Sequence, residues 1–266
     1  MRLTAGLGDS ETLWGRAGWP SHDLAENSIR VGVVGLGSFG NHHARHHAAN
    51  PRAILAAVAD ADPSRAEAAA TRYATTPFAD YHDLAGKVDA VSVTVPASLH
   101  HEVAGFFLDR GVHVLVEKPI AATSATARDL IARAEAGRAL LQVGMLERFS
   151  PVVGALRARV GNARRLTFRR MATWQGRITD VDVVLDMMIH DIDLALVLAR
   201  APVVSVAASG AVVRSGLIDE AEAWLTFANG AIATLSASRV AERGERTVAI
   251  TEPATAWRGD LGAQAL

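Results

Sequence analysis

The chain has 266 residues, 27 basic against 28 acidic side chains, 50% hydrophobic residues and no cysteine. That length accommodates one large domain or two modest ones, each able to bury a core. The formal charge of −1 removes the electrostatic case for a nucleic-acid or anionic-membrane partner, and the missing cysteines exclude disulfides, thiolate metal sites and a cysteine nucleophile. No apolar run approaches the roughly 18 residues that span a bilayer, and the start lacks the charged-then-apolar layout of a secretory signal. Composition therefore predicts a soluble cytoplasmic protein.

Residues 1–28 scatter Gly6, Gly8, Gly15, Gly18 and Pro20 among polar residues without an apolar period. They read as a loosely ordered extension or an upstream start of the reading frame. From Ile29, short apolar runs at 30–34, 53–59, 89–95, 112–116 and 139–143 are rich in β-branched residues and mostly lack alternation, as expected of parallel strands covered on both faces. Helices lie between them. Asp62 followed by Pro63 caps one, Ser98 caps 99–110 with Gly111 past its end, and Gly137 stops 124–136. Repeated β–α units over 29–145 predict a doubly wound parallel sheet.

After residue 145 the pattern changes to a helix at 151–160, a strand at 164–174, a helix at 182–199 and runs at 203–213, 219–228 and 231–239. Asn229–Gly230 between LTFA and AIATL signals a hairpin. Residues 146–266 are therefore expected to form an α+β domain on an open, mostly antiparallel sheet. The final TEPATAWRGDLGAQAL has no strand-like alternation. It predicts a sheet that stops near Ile250, with an unpaired edge for a partner subunit to cover.

Strand 30–34 runs into Gly35-Leu36-Gly37-Ser38-Phe39-Gly40, with a helix expected from about Asn41. Gly35 permits the tight turn, Gly37 the approach of a pyrophosphate, and Gly40 close helix–strand packing. The N–H groups at the helix start, around Ser38 and Phe39, then face phosphates. Asp60 lies 20 residues after Gly40, at the end of the second strand. Its carboxylate suits ribose hydroxyls and repels a 2′-phosphate, which favours NAD over NADP. Arg65 nearby is the argument for NADP. In the stretch Asn41-His42-His43-Ala44-Arg45-His46-His47, the pairs His42/His46 and His43/His47 have metal-ligand spacing. With no carboxylate close in sequence, a solvated helix face is the expectation, and no metal is assigned.

Glu117-Lys118-Pro119 follows strand 112–116, so Lys118 sits where ligands gather in open α/β sheets. A lysine there can hydrogen-bond a substrate oxygen and stabilise a developing alkoxide. Asp186 and His190 are i,i+4 on a predicted helix, and an imidazole beside a carboxylate suits a general base for an alcohol.

The series Gly35-x-Gly37-x-x-Gly40, Thr94-Val95-Pro96 with His100, Glu117-Lys118-Pro119 and Asp186-x-x-x-His190 resembles the Gfo/Idh/MocA oxidoreductases, over about residues 29–250. The resemblance implies a Rossmann domain followed by an open antiparallel sheet, bound NAD(P), and hydride transfer at a sugar or cyclitol carbon. It also implies catalysis by Lys118, Asp186 and His190, with Thr94, Pro96, His100 and Glu117 around the cofactor. A homo-oligomer formed through the second sheet is implied as well.

Gly144 to Pro151 and Arg177 to Asp186 are similar to the branch that oxidises the 3-hydroxyl of UDP-N-acetyl sugars, although Met145 and Ser150 depart from it. Arg148 and Arg177 suit a pyrophosphate or acidic sugar, or else ordinary salt bridges. The expected function is NAD-dependent oxidation of a sugar hydroxyl. A free sugar or inositol as substrate, and a nucleotide-binding protein without turnover, are the alternatives.

Overall fold

The computed structural model describes residues 28–176 and 180–266, so residues 1–27 of the expected extension and Arg177 lie outside the described residues. These fall into two units, one of 28–145 with 180–181 and one of 146–176 with 182–266.

The first unit is built on a parallel sheet of order β3-β2-β1-β4-β5-β6. Its strands are β1 (Ile29–Val34), β2 (Ala53–Ala59), β3 (Thr76–Phe78), β4 (Ala90–Val93), β5 (His113–Val116) and β6 (Leu141–Val143). The strand order reverses between β1 and β4, the switch point at which such sheets bind ligands. Alternate residues of β1 enter different cores. Val33 packs with Leu36, Ala44, Leu55 and Val58, whereas Val34 joins Val93, Phe107, Leu108 and Leu130. This two-sided burial explains the unalternated apolar runs. Each large side chain so buried contributes about 1.5–3 kcal/mol. Strand β3 has only three residues, one of them Pro77, and gave no apolar signal.

Four helices cover this sheet: α1 (Ser38–Ala49), α2 (Pro63–Tyr73), α3 (His100–Leu108) and α4 (Ser124–Ala136). The Asp62 carboxylate caps α2 by accepting from the Ser64 N–H at 3.0 Å. Two expected signals act differently. Ser98 does not cap α3, because Ala97–Leu99 forms a 3₁₀ turn and Leu99 takes the capping position without a side-chain bond. Gly137 ends α4 in a right-handed conformation, and Arg138 takes the positive φ of 51° instead. The glycine is needed because a Cβ there would lie 2.1 Å from the Leu108 carbonyl oxygen.

The second unit carries a sheet of order β12-β11-β7-β10-β9-β8, with β7 (Arg165–Met171), β8 (Val203–Val212), β9 (Ile218–Phe227), β10 (Ile232–Ser238), β11 (Glu245–Thr251) and β12 (Ala256–Asp260). Every pair is antiparallel except β7 with β10. Helices α5 (Pro151–Arg159) and α6 (Ile189–Ala199) pack on it, with Leu156, Leu166, Phe168, Leu194, Phe227 and Leu235 fully buried. The Asn229–Gly230 turn forms as expected. Asn229 Oδ1 accepts from the Ala231 N–H, and Gly230 has φ of 80°.

Strand β12 overturns the expectation of a sheet ending near Ile250. Residues 256–260 pair with β11 through the backbone, which needs no alternating side chains. Trp257 Nε1 donates to Glu252, and Gly259 fits against Val152, where a Cβ would come within 2.9 Å. The helix expected over 182–199 is also irregular. The Asp182 carboxylate accepts from the Leu185 N–H, a π-helical turn follows over Val184–Met188, and α6 starts only at Ile189. No helix among the described residues is long and apolar enough to cross a membrane.

Candidate active site

The glycine loop joins β1 to α1, and each glycine is required for a different reason. Gly35 has φ of +89°, and a Cβ there would meet the backbone of Thr94 and Val95 at 2.8 Å. A Cβ on Gly40 would sit 1.8 Å from the Gly35 carbonyl oxygen, so the helix could not approach the strand. A Cβ on Gly37 would meet nothing within 4 Å. Gly37 is the N-cap of α1 with no side-chain bond to the first helical N–H groups, and Ser38 and Phe39 beside it are exposed. Open space over uncapped N–H groups fits a dinucleotide pyrophosphate. Helix α1 begins at Ser38, three residues earlier than expected, which brings those N–H groups into the loop itself.

The loop is tied down from several sides. Asp60 Oδ2 accepts from the Leu36 N–H at 2.6 Å, and Oδ1 accepts from the Asp62 N–H at 2.9 Å. Its carboxylate is thus fixed just past the end of β2. The Thr94 hydroxyl points at the Gly35 and Val34 carbonyl oxygens, at 2.6 and 3.0 Å. Asn41, which the sequence did not single out, donates to the Leu36 carbonyl at 2.7 Å and lies 3.0 Å from that of Gly37. Its position one residue after the third glycine was the available signal.

Beyond β4, Pro96 is exposed and precedes the 3₁₀ turn. His100 is 1% exposed, with its ring between the Pro119 and Val95 carbonyl oxygens at 2.6 and 3.0 Å. It braces this loop against the Lys118–Pro119 segment, whose peptide bond is cis. Glu117 is likewise engaged, buried with Oε1 2.9 Å from His43 Nε2 and Oε2 accepting from the Lys118 N–H at 3.3 Å. Both residues expected around the cofactor are therefore engaged inside the domain. Lys118 itself is half-buried at the end of β5.

The histidine stretch on α1 divides in two. His42 and His46 are exposed, as a solvated face requires, but His43 and His47 turn inward. Ser92 Oγ of β4 lies 3.1 Å from His43 Nδ1 and 2.9 Å from His47 Nε2. Burial, reinforced by His43 and His46, lowers the His47 pKa to about 4, so its ring is neutral near neutral pH. The carboxylate judged absent from local sequence is Glu117, 74 residues from His43. Among the described residues no group of three or more His, Asp or Glu is arranged to hold a metal ion.

In the second unit, Asp186 is buried within the π-helical turn and His190 is half-buried in the first turn of α6. The π-helical turn carries Asp186 and ends directly before α6, and such turns are frequent at functional positions. Two ion pairs follow His190 on α6, at Asp191 and Asp193. Arg170 forks onto Asp191 at 2.8 and 3.1 Å and reaches Glu147 at 2.9 Å. Burial pushes the Asp191 carboxyl up, against the pull of that guanidinium. Arg148 forks onto Asp193, with Nε at 2.5 Å. The salt-bridge alternative for Arg148 is the one observed. Glu147 and Arg148 together fasten the 3₁₀ turn Leu146–Phe149 to strand β7 and helix α6.

The profile described as an oxidoreductase family with an NAD-binding Rossmann fold matches residues 29–145, and the GFO/IDH/MocA C-terminal domain matches 125–256. The UDP-N-acetylglucosamine 3-dehydrogenase of Acidithiobacillus ferrooxidans is 38% identical over 84% of this chain and 71% of its own length. Its structure superposes with a TM-score of 0.83 at 36% identity, covering 89% of this chain and 78% of that one. An inositol 2-dehydrogenase of Rhizobium meliloti is 31% identical over 82% of this chain and 71% of its own length. GenD2 from gentamicin A biosynthesis, solved in complex with NAD, has a TM-score of 0.80 at 25% identity, covering 91% of this chain and 74% of that one. The chain belongs to the Gfo/Idh/MocA family of NAD-binding oxidoreductases.

Proposed function

We propose that this protein oxidises a ring hydroxyl of a nucleotide sugar, the 3-hydroxyl of UDP-N-acetylglucosamine, to the ketone. The observation that carries this reading is the likeness to the Acidithiobacillus enzyme, which extends through both units instead of stopping at the Rossmann domain. NAD, when bound, accepts the hydride from the carbinol carbon. His190 takes the hydroxyl proton, and Lys118 donates a hydrogen bond to the same oxygen as negative charge develops on it. Asp186 supports the imidazolium that His190 becomes. Residues 29–145 hold the dinucleotide and residues 146–266 the sugar. Arg177 is assigned to the substrate, whereas Arg148 positions α6 through Asp193. The net change is alcohol plus NAD to ketone, NADH and one proton.

Incubating the purified protein with NAD and UDP-N-acetylglucosamine is expected to produce NADH absorbance. Turnover of myo-inositol or a free sugar, with none of the nucleotide sugar, would overturn the substrate assignment. NAD is expected to bind more tightly than NADP, because a 2′-phosphate would meet the Asp60 carboxylate. Asp60→Ala should narrow the difference between the two dissociation constants, and a wild-type preference for NADP would contradict this assignment. A homo-oligomer belongs with the same reading. Edge strand β8 is exposed along nearly its whole length, with Val204 and Val206 each 64% exposed, an apolar edge that self-association would cover. Sedimentation equilibrium checks it, and a monomer at assay concentration would refute it.

A further inference from the structure

We propose that His43 is a positioning residue for Lys118, acting through the Glu117 carboxylate, with Ser92, His47 and Gly144 completing the set. The proposal rests on the reading of Lys118 as the donor to the reacting oxygen. His43 and His47 stand one turn apart on α1, the helix that also opens the dinucleotide loop. They reach across β4 at Ser92 to the carboxylate that ends β5.

With both rings neutral, one proton assignment satisfies the contacts among these side chains. His47 Nε2–H donates to Ser92 Oγ, Ser92 O–H donates to His43 Nδ1, and His43 Nε2–H donates to Glu117 Oε1. The neutral state of His47 agrees with its role as first donor. The other carboxylate oxygen accepts from the Lys118 N–H. Gly144 closes the remaining side, since a Cβ there would come within 2.9 Å of Glu117 Oε1. A carboxylate held at both oxygens and walled by Gly144 restrains the main chain at 117–118. Proton and hydride transfer are sensitive to displacements of about 1 Å, which makes that position consequential. Helix α1 thereby couples the loop that holds the pyrophosphate to the strand end that carries the lysine.

The chain has two lysines, Lys87 and Lys118, so reductive methylation with ¹³C-formaldehyde gives one lysine resonance for each. Lys87 is the internal control, anchored to the Asp83 carbonyl at 2.6 Å. His43→Gln keeps a donor where Nε2 meets Glu117, whereas His43→Asn reaches only toward Ser92. The Lys118 resonance is expected to move in His43→Asn and in Gly144→Ala, to stay near wild type in His43→Gln, and Lys87 to stay in all three. In the turnover assay, His43→Asn should lower kcat by about tenfold or more with KM values little changed, and His43→Gln should restore most of the loss. If His43→Asn does not fold, Gly144→Ala carries the test from the opposite side of the carboxylate. An unmoved Lys118 resonance in the folded variants, or equal kcat losses in His43→Gln and His43→Asn, would overturn the proposal. Absence of wild-type turnover on UDP-N-acetylglucosamine counts against the proposed function alone, and the lysine resonances then decide this inference.

Discussion

Replacing Lys118 or His190 by alanine is expected to lower kcat by about 10²-fold or more, the scale of a lost acid–base or charge-stabilising group. In the proposed mechanism each acts on the reacting oxygen only as charge develops there, so the loss should fall on kcat and kcat/KM together. Dissociation constants for NAD should barely change, because that binding is assigned to the glycine loop and Asp60. The double variant should lose little more than either single one, since residues that work as a unit are non-additive. His190→Asn keeps a polar side chain and should be equally impaired if proton transfer is the role. A double variant with wild-type turnover would rule out both assignments.

The largest stability effect is expected at Asp219, which lies outside the proposed catalytic set. Its carboxylate is fully buried and accepts from the N–H groups of Val213, Arg214 and Ser215 at 2.6 to 3.0 Å, from the Ser215 hydroxyl, and from Arg239 Nε at 2.8 Å. Asp219→Ala removes the counter-charge of buried Arg239 and strips three backbone donors of their acceptor. The expected cost is about 3–5 kcal/mol, measured by urea denaturation. A loss under about 1 kcal/mol would contradict this reading. Burial alone would push this carboxyl up, but the bonds from Arg214, Ser215 and Arg239 outweigh it and hold it far below the ordinary range. Below about pH 4 the unfolded chain therefore binds a proton that the native state does not. The contribution is complete above that pH and is lost as pH falls, so the gap between wild type and Asp219→Ala should shrink in acid.

Several elements were legible because their causes are local. The glycine loop follows a strand and opens a helix, Asp62–Pro63 starts α2, and Asn229–Gly230 turns β9 into β10. Other features misled for a physical reason. Gly137 looked like a left-handed helix stop, but its constraint is a carbonyl of α3, 29 residues away. The last residues lacked alternation, yet β12 forms because backbone pairing to β11 supplies what the side chains do not. Continuous α-helical spacing over 182–199 hid the π-helical turn that carries Asp186.

Local pattern was enough to find the two-part architecture, the dinucleotide loop with Asp60, and the candidate residues Lys118, Asp186 and His190. Those features depend on periodicity and on motifs contained within a few turns of chain. Which polar residues face inward, and whom they meet, emerged from the folded arrangement. His43 finds Glu117 across 74 residues, Arg148 finds Asp193 across 45, and Asp219 finds Arg239 across 20. A buried polar group must be paired, but the partner is selected by which strand ends and helix faces the fold brings together, and no local pattern encodes that choice.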